Sequence, residues 1–182
     1  KFIIMGLNSS PIGIKNVLGH NAFKLISNAQ CPVITIKEKP KNTDCKNIVL
    51  PLDLTKESRE KVGKAVEFAK YFGASIRIIS VFSPSEIKYE NKLLAYTHQT
   101  KEFIHKSGVE CTNKTIGGEN RARIVIDYAS KIEADLIIIM TQQDLSIKDL
   151  FIGTAAQQVV SLSKIPVVSI RPMKRKSTNS YR

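Results

Sequence analysis

The sequence predicts an α/β fold: an open five-stranded parallel sheet with helices on both faces, accompanied by a partial second copy of the same unit. Short apolar runs rich in β-branched residues alternate with segments of helical periodicity, the pattern of successive βαβ units. One element also occurs twice. Phe2-Ile3-Ile4-Met5-Gly6, Gly19-His20-Asn21-Ala22 and Cys31-Pro32-Val33-Ile34-Thr35-Ile36 return as Ile137-Ile138-Ile139-Met140-Thr141, Gly153-Thr154-Ala155-Ala156 and Ile165-Pro166-Val167-Val168-Ser169-Ile170. Gly19 and Gly153, Ala22 and Ala156, Ser27 and Ser161, and Pro32 and Pro166 are each 134 residues apart. That spacing is domain-sized, far above the roughly 20–50 residues of solenoid repeats. The first copy leaves no room for the strands that precede this element in the second. The expected division is a C-terminal remnant of a first domain (1–37), a linker (38–45), a complete domain (46–172) and a disordered basic tail (173–182).

Each element has its own signal. Glu38 to Cys45 is polar and carries Pro40, as a linker does. Asn47 to Asp53 is a short apolar run, a buried strand ending at Pro51. Thr55 or Ser58 caps the next helix, whose apolar positions Val62, Ala65, Val66, Ala69 and Phe72 recur at helical spacing until Gly73 stops it. Ser75 to Phe82 is a second buried strand through Ile76, Ile78, Ile79 and Val81. Pro84 and Ser85 break the chain before a long polar helix from about Glu86 to Lys106. Its inward candidates are Leu93, Leu94, Tyr96, Phe103 and Ile104, and Gly108 ends it. Val109 to Ile116 is more polar and suits a sheet edge. Gly117-Gly118 turns into a helix from Asn120 to Ile132; Ala134 to Met140 is the fourth strand. A helix begins near Gly153, and Ile165 to Ile170 is the fifth strand.

Composition narrows the function classes. The 28 Lys and Arg against 16 Asp and Glu give a net charge of +12, which favours encounter with anions. No helix-turn-helix, zinc finger or aromatic-studded basic strand accompanies that charge, so specific nucleic-acid binding is not expected. No apolar run approaches the roughly 20 residues of a membrane span. Cys31, Cys45 and Cys111 form no CxxC pair and are expected as free thiols. His98 and His105 share a helix face without a third ligand. No Ser-His-Asp set or paired catalytic carboxylates assemble, so a non-enzymatic module is expected. In open parallel sheets ligands sit beyond the carboxyl ends of the strands, where Pro51 to Asp53 and Met140 to Asp144 fall.

The apolar strand closed by Pro51-Leu52-Asp53, the strand end at Met140, the Gly153-Thr154 helix start and the Pro166-Val167 strand resemble the universal stress protein family. The resemblance runs from Phe2 to Arg171. The family's fourth strand ends in Met-Gly, followed by G-x2-G-x9-G-[ST]. The first copy follows this spacing with Gly6, Ser9, Gly19 and His20; the second has Met140, Thr141, Asp144, Gly153 and Thr154, with one residue fewer. The family contains ATP-binding members and members that bind no nucleotide. The resemblance implies that Asp53 and Val81 hold adenine and ribose, with Pro51 a site residue of the same Pro-x-Asp motif. It implies that Met140, Thr141, Gly153 and Thr154, and Gly6 and Gly19 in the first copy, belong to the phosphate loops. Bare amides and a helix start attract phosphate oxygens. Asp144 puts a carboxylate among them, a repulsion of about 1 kcal/mol at 4 Å in water and about 4 at an effective dielectric of 20. Lys148 offsets part of it.

The resemblance thus implies a noncatalytic, cytoplasmic stress-adaptation module that acts through protein contacts. Its nucleotide site would be degenerate, with no cofactor. The alternative is an ATP-binding regulator whose site needs the N-terminal part or a partner chain. Val33–Ile36 and Val167–Ile170 are expected to mediate self-association, lying antiparallel in one sheet or across a dimer.

Overall fold

The computed structural model describes residues 1–7, 18–40, 42–141 and 154–172. The loop positions Ser9, Asp144, Lys148 and Gly153 and the basic tail lie outside the described residues. The strands are β1 (Ile3–Gly6), β2 (Val33–Ile36), β3 (Asn47–Leu52), β4 (Ser75–Phe82), β5 (Cys111–Gly117), β6 (Leu136–Met140) and β7 (Val167–Ile170). The helices are α1 (His20–Asn28), α2 (Lys56–Phe72), α3 (Glu90–Lys106), α4 (Arg121–Lys131) and α5 (Thr154–Leu162).

Among the described residues the strands join one seven-stranded sheet in the order β1-β2-β7-β6-β3-β4-β5. The count of five is therefore corrected to seven. β2 adds antiparallel to β7, with Val33 opposite Ser169, Ile34 opposite Val168 and Thr35 opposite Val167. β1 then adds parallel to β2, and every other neighbouring pair is parallel. The expected antiparallel meeting of Val33–Ile36 and Val167–Ile170 takes place inside one chain. That leaves neither strand an open edge for a second copy, and among the described residues the sheet ends in β1 and β5. Side-chain bonds reinforce the seam: Thr35 Oγ1 donates to the Val167 carbonyl at 3.2 Å, and Lys37 Nζ to the Ser161 carbonyl at 2.8 Å.

Central strands buried on both faces read as continuous apolar runs, which is why β3 and β6 were plain in the sequence. Ile48, Val49, Leu50, Ile137 and Ile138 are fully buried. One face packs Val49, Ile79 and Ile137 against Ile26 of α1, Val125 of α4 and Val160 of α5. The other packs Ile48, Ile76, Ile78 and Ile138 against Ala65 and Ala69 of α2 and Ile104 of α3.

Local chemistry sets the helix ends. Thr55 is the N-cap of α2, its Oγ1 accepting from the Ser58 amide at 3.2 Å. Gly73 closes α2 with a φ of 65°, a conformation glycine adopts without steric strain. The expected helix over 86–106 is two pieces: a 3₁₀ turn at Pro84–Tyr89 leads into α3. Leu94 and Phe103, expected inward, are 40% and 54% exposed. Thr97 and Thr100 are buried in their place, their hydroxyls donating to the carbonyls of Leu93 and Tyr96. A hydroxyl satisfied by the preceding turn can face a core, which blurs the apolar period.

Asp135, at the amino end of β6, ties down the linker. Its carboxylate accepts from Asn42 Nδ2 at 2.8 Å, the Lys46 amide at 2.8 Å and the Asn47 amide at 2.9 Å. Asp135→Ala is expected to lower the unfolding free energy by about 1–3 kcal/mol, measured by urea titration. All three cysteines are free. Burial pushes the thiols of Cys45 and Cys111 up to about 11. Among the described residues, no helix is long and apolar enough to cross a membrane.

Candidate functional site

A cleft of about 240 Å³ opens at the carboxyl ends of β3, β4 and β6. Parallel strands bring their ends to one rim, and α2, α4 and α5 close the sides. Its walls are apolar, with Ile79, Val81, Val125 and Ile139, and its polar groups converge from few places. That composition is typical of small-molecule sites.

Asp53 is fixed by the turn that follows β3. Its Oδ1 accepts from both the Thr55 amide, at 2.9 Å, and Thr55 Oγ1. The Asp53 amide donates to Ser58 Oγ at 3.2 Å. The carboxylate is thereby held by the same turn that caps α2. Its Oδ2 accepts no hydrogen bond among the described residues.

Lys61 lies beneath it. Only 6% of this lysine is exposed, although it carries a charge. Its Nζ donates to the Pro51 carbonyl. Burial pulls its pKa down from 10.5 to about 8, against the opposing pull of the Asp53 carboxylate. Arg121, at the start of α4, is the second cation in the lining.

The model for the universal stress protein family matches residues 45–171, well over half of the chain. The chain belongs to the universal stress protein family. A universal stress protein of Methanocaldococcus jannaschii is 26% identical over 144 residues, which cover 71% of this chain and 84% of that protein. A universal stress protein structure from Archaeoglobus fulgidus DSM 4304 shares the fold with a TM-score of 0.72 at 18% identity, over 94% of this chain. This chain spans 60% of the length of that one. A universal stress protein solved in complex with cAMP aligns with a TM-score of 0.59 at 16% identity, over 72% of this chain and 100% of that one.

Four of the residues singled out by the family resemblance meet in the cleft: Pro51, Asp53, Val81 and Met140. Thr141 is buried and turned to the sheet, its amide and Oγ1 both donating to the Ile170 carbonyl at 2.8 and 3.3 Å. Gly153 lies outside the described residues; Thr154 starts α5, whose Ala155 and Ala156 reach the lining. Gly6 ends β1 and Gly19 is the N-cap of α1, both exposed and away from this cleft. Sequence reasoning missed Lys61 and Arg121. The signal for Lys61 was available: it sits four residues before Ala65, on the inward stripe of α2, where a charge is out of pattern.

Proposed function

We propose that this universal stress protein is a noncatalytic, nucleotide-responsive module. The cleft takes an adenine nucleoside or mononucleotide, and its occupancy alters contacts with a protein partner. The observation that carries this reading is Asp53, with one carboxylate oxygen fixed by Thr55 and the other left for a ligand. A carboxylate held in this way suits a ribose hydroxyl, and Val81 and Ile139 offer apolar surface to a base. The cAMP complex of a protein with the same fold supports the ligand class.

Asp144 weighs against polyphosphate on the sequence alone, since it adds a carboxylate to a loop expected to offer amides. Adenosine and AMP are therefore expected to bind at least as tightly as ATP by isothermal titration calorimetry at low salt. Asp53→Ala is expected to weaken adenosine binding about tenfold or more, by losing hydrogen bonds to a charged acceptor. Equal adenosine affinity in wild type and Asp53→Ala would remove the reading. No reaction is assigned to the cleft. A second reading, ATP bound at Gly6 and Gly19 with help from a neighbouring chain, draws on the exposed edge strand β1, where Ile4 is 61% exposed.

A further inference from the structure

We propose that Lys61 is a specificity-determining ligand contact: its ammonium holds a phosphoryl oxygen inside the cleft and makes the site select for anionic ligands. This deepens the nucleotide reading and rests on it. An ammonium has three hydrogen-bond donors. Among the described residues one acceptor, the Pro51 carbonyl, meets Lys61 Nζ. Among the described residues the side chain is buried and lines the cleft, so the remaining donors are available to a ligand bound within it. A buried charge with donors to spare favours whatever brings an anionic acceptor to it.

The surrounding charges agree. Asp53, after β3, is the one carboxylate in the described lining, whereas Lys61 and Arg121 are two cations. The lining contributed by β4, β6 and α5 is uncharged: Ile79, Val81, Ile139, Met140, Ala155, Ala156 and Val159. Arg121 has an interaction of its own, so the recognition of an anionic ligand is assigned to Lys61. The recognition of charge thus falls to a side chain of α2 rather than to the loop that carries Asp144.

The test uses AMP, adenosine and inorganic phosphate as probes. Calorimetry at pH 7 and 9.5 on wild type, Lys61→Met and Lys61→Arg is paired with an NMR titration of the Lys61 side chain. Wild type is expected to prefer AMP over adenosine by about tenfold or more at pH 7. That margin shrinks at pH 9.5 as the ammonium loses its proton. Lys61→Met is expected to lose the preference for AMP over adenosine. Lys61→Arg keeps a preference that no longer depends on pH, since guanidinium stays charged. A Lys61→Met protein that still prefers AMP as wild type does overturns the proposal and leaves the nucleotide reading standing. If wild type binds neither AMP nor adenosine, the nucleotide reading falls. The Lys61 contact is then decided by phosphate: a raised Lys61 titration midpoint supports it, and an unmoved midpoint overturns it.

Discussion

Lys61→Met is expected to stabilise the ligand-free protein at pH 7 by roughly 1–3 kcal/mol. The lysine stem already packs on the inward stripe of α2, so methionine keeps most of the apolar contact. What the substitution removes is a desolvated ammonium. A pKa drawn down from 10.5 to about 8 corresponds to roughly 3 kcal/mol of penalty on the charged form. The loss of a donor to the Pro51 carbonyl takes back about 1 kcal/mol. The pH dependence has a definite sign. Between about 8 and 10.5 the folded protein has released the Lys61 proton while the unfolded chain still holds it. The unfolded state then binds more protons, so wild-type stability rises with pH across that window. Urea titrations at pH 7 and 10 should therefore show the advantage of Lys61→Met narrowing at the higher pH. A wild type more stable than Lys61→Met at pH 7 would mean that the ammonium is fully compensated in the empty cleft.

A buried charge expected to weaken the empty fold is what a binding role predicts, and it also explains what the sequence concealed. The strands of the sheet were legible because burial on both faces forces unbroken apolar runs, as in Ile137-Ile138-Ile139 and Ile48-Val49-Leu50. The ends of α2 were legible because Thr55 and Gly73 act within one turn of themselves. Pro51, Asp53, Val81 and Met140 were picked out by family resemblance, and the parallel sheet brings their strand ends to one rim. Two kinds of information were harder to extract. Thr97 and Thr100 hide an inward face because their hydroxyls are satisfied within the helix, so polarity there does not mean exposure. Lys61 reads as a surface lysine unless its place beside Val62 and before Ala65 is weighed, and only the tertiary structure sets its Nζ against Pro51. The antiparallel seam was foreseen as a pairing. Whether it lay within one chain or between two depended on a fold that brings together segments 132 residues apart.

That seam carries the other large effect. A disulfide formed by Thr35→Cys and Val167→Cys, with Cys31, Cys45 and Cys111 changed to alanine, is expected to close within a monomer. It should stabilise the protein by up to about 5 kcal/mol, because it closes a loop of 132 residues in the unfolded chain. Thr35 and Val167 are directly opposed in the antiparallel register, and Thr35 Oγ1 already reaches the Val167 carbonyl. The native hydrogen bond is lost in the exchange, about 1 kcal/mol against the gain. A control pair, Val33→Cys with Val167→Cys, is displaced by two residues, since Val33 faces Ser169. Diagonal neighbours lie about 7–8 Å apart, beyond the reach of an unstrained disulfide. The register thus predicts efficient oxidation of the opposed pair and poor oxidation of the diagonal one. Non-reducing electrophoresis and mass measurement separate an internal bond from a covalent dimer. A dimer formed by the opposed pair would place the seam between two chains, and equal oxidation of both pairs would contradict the register itself.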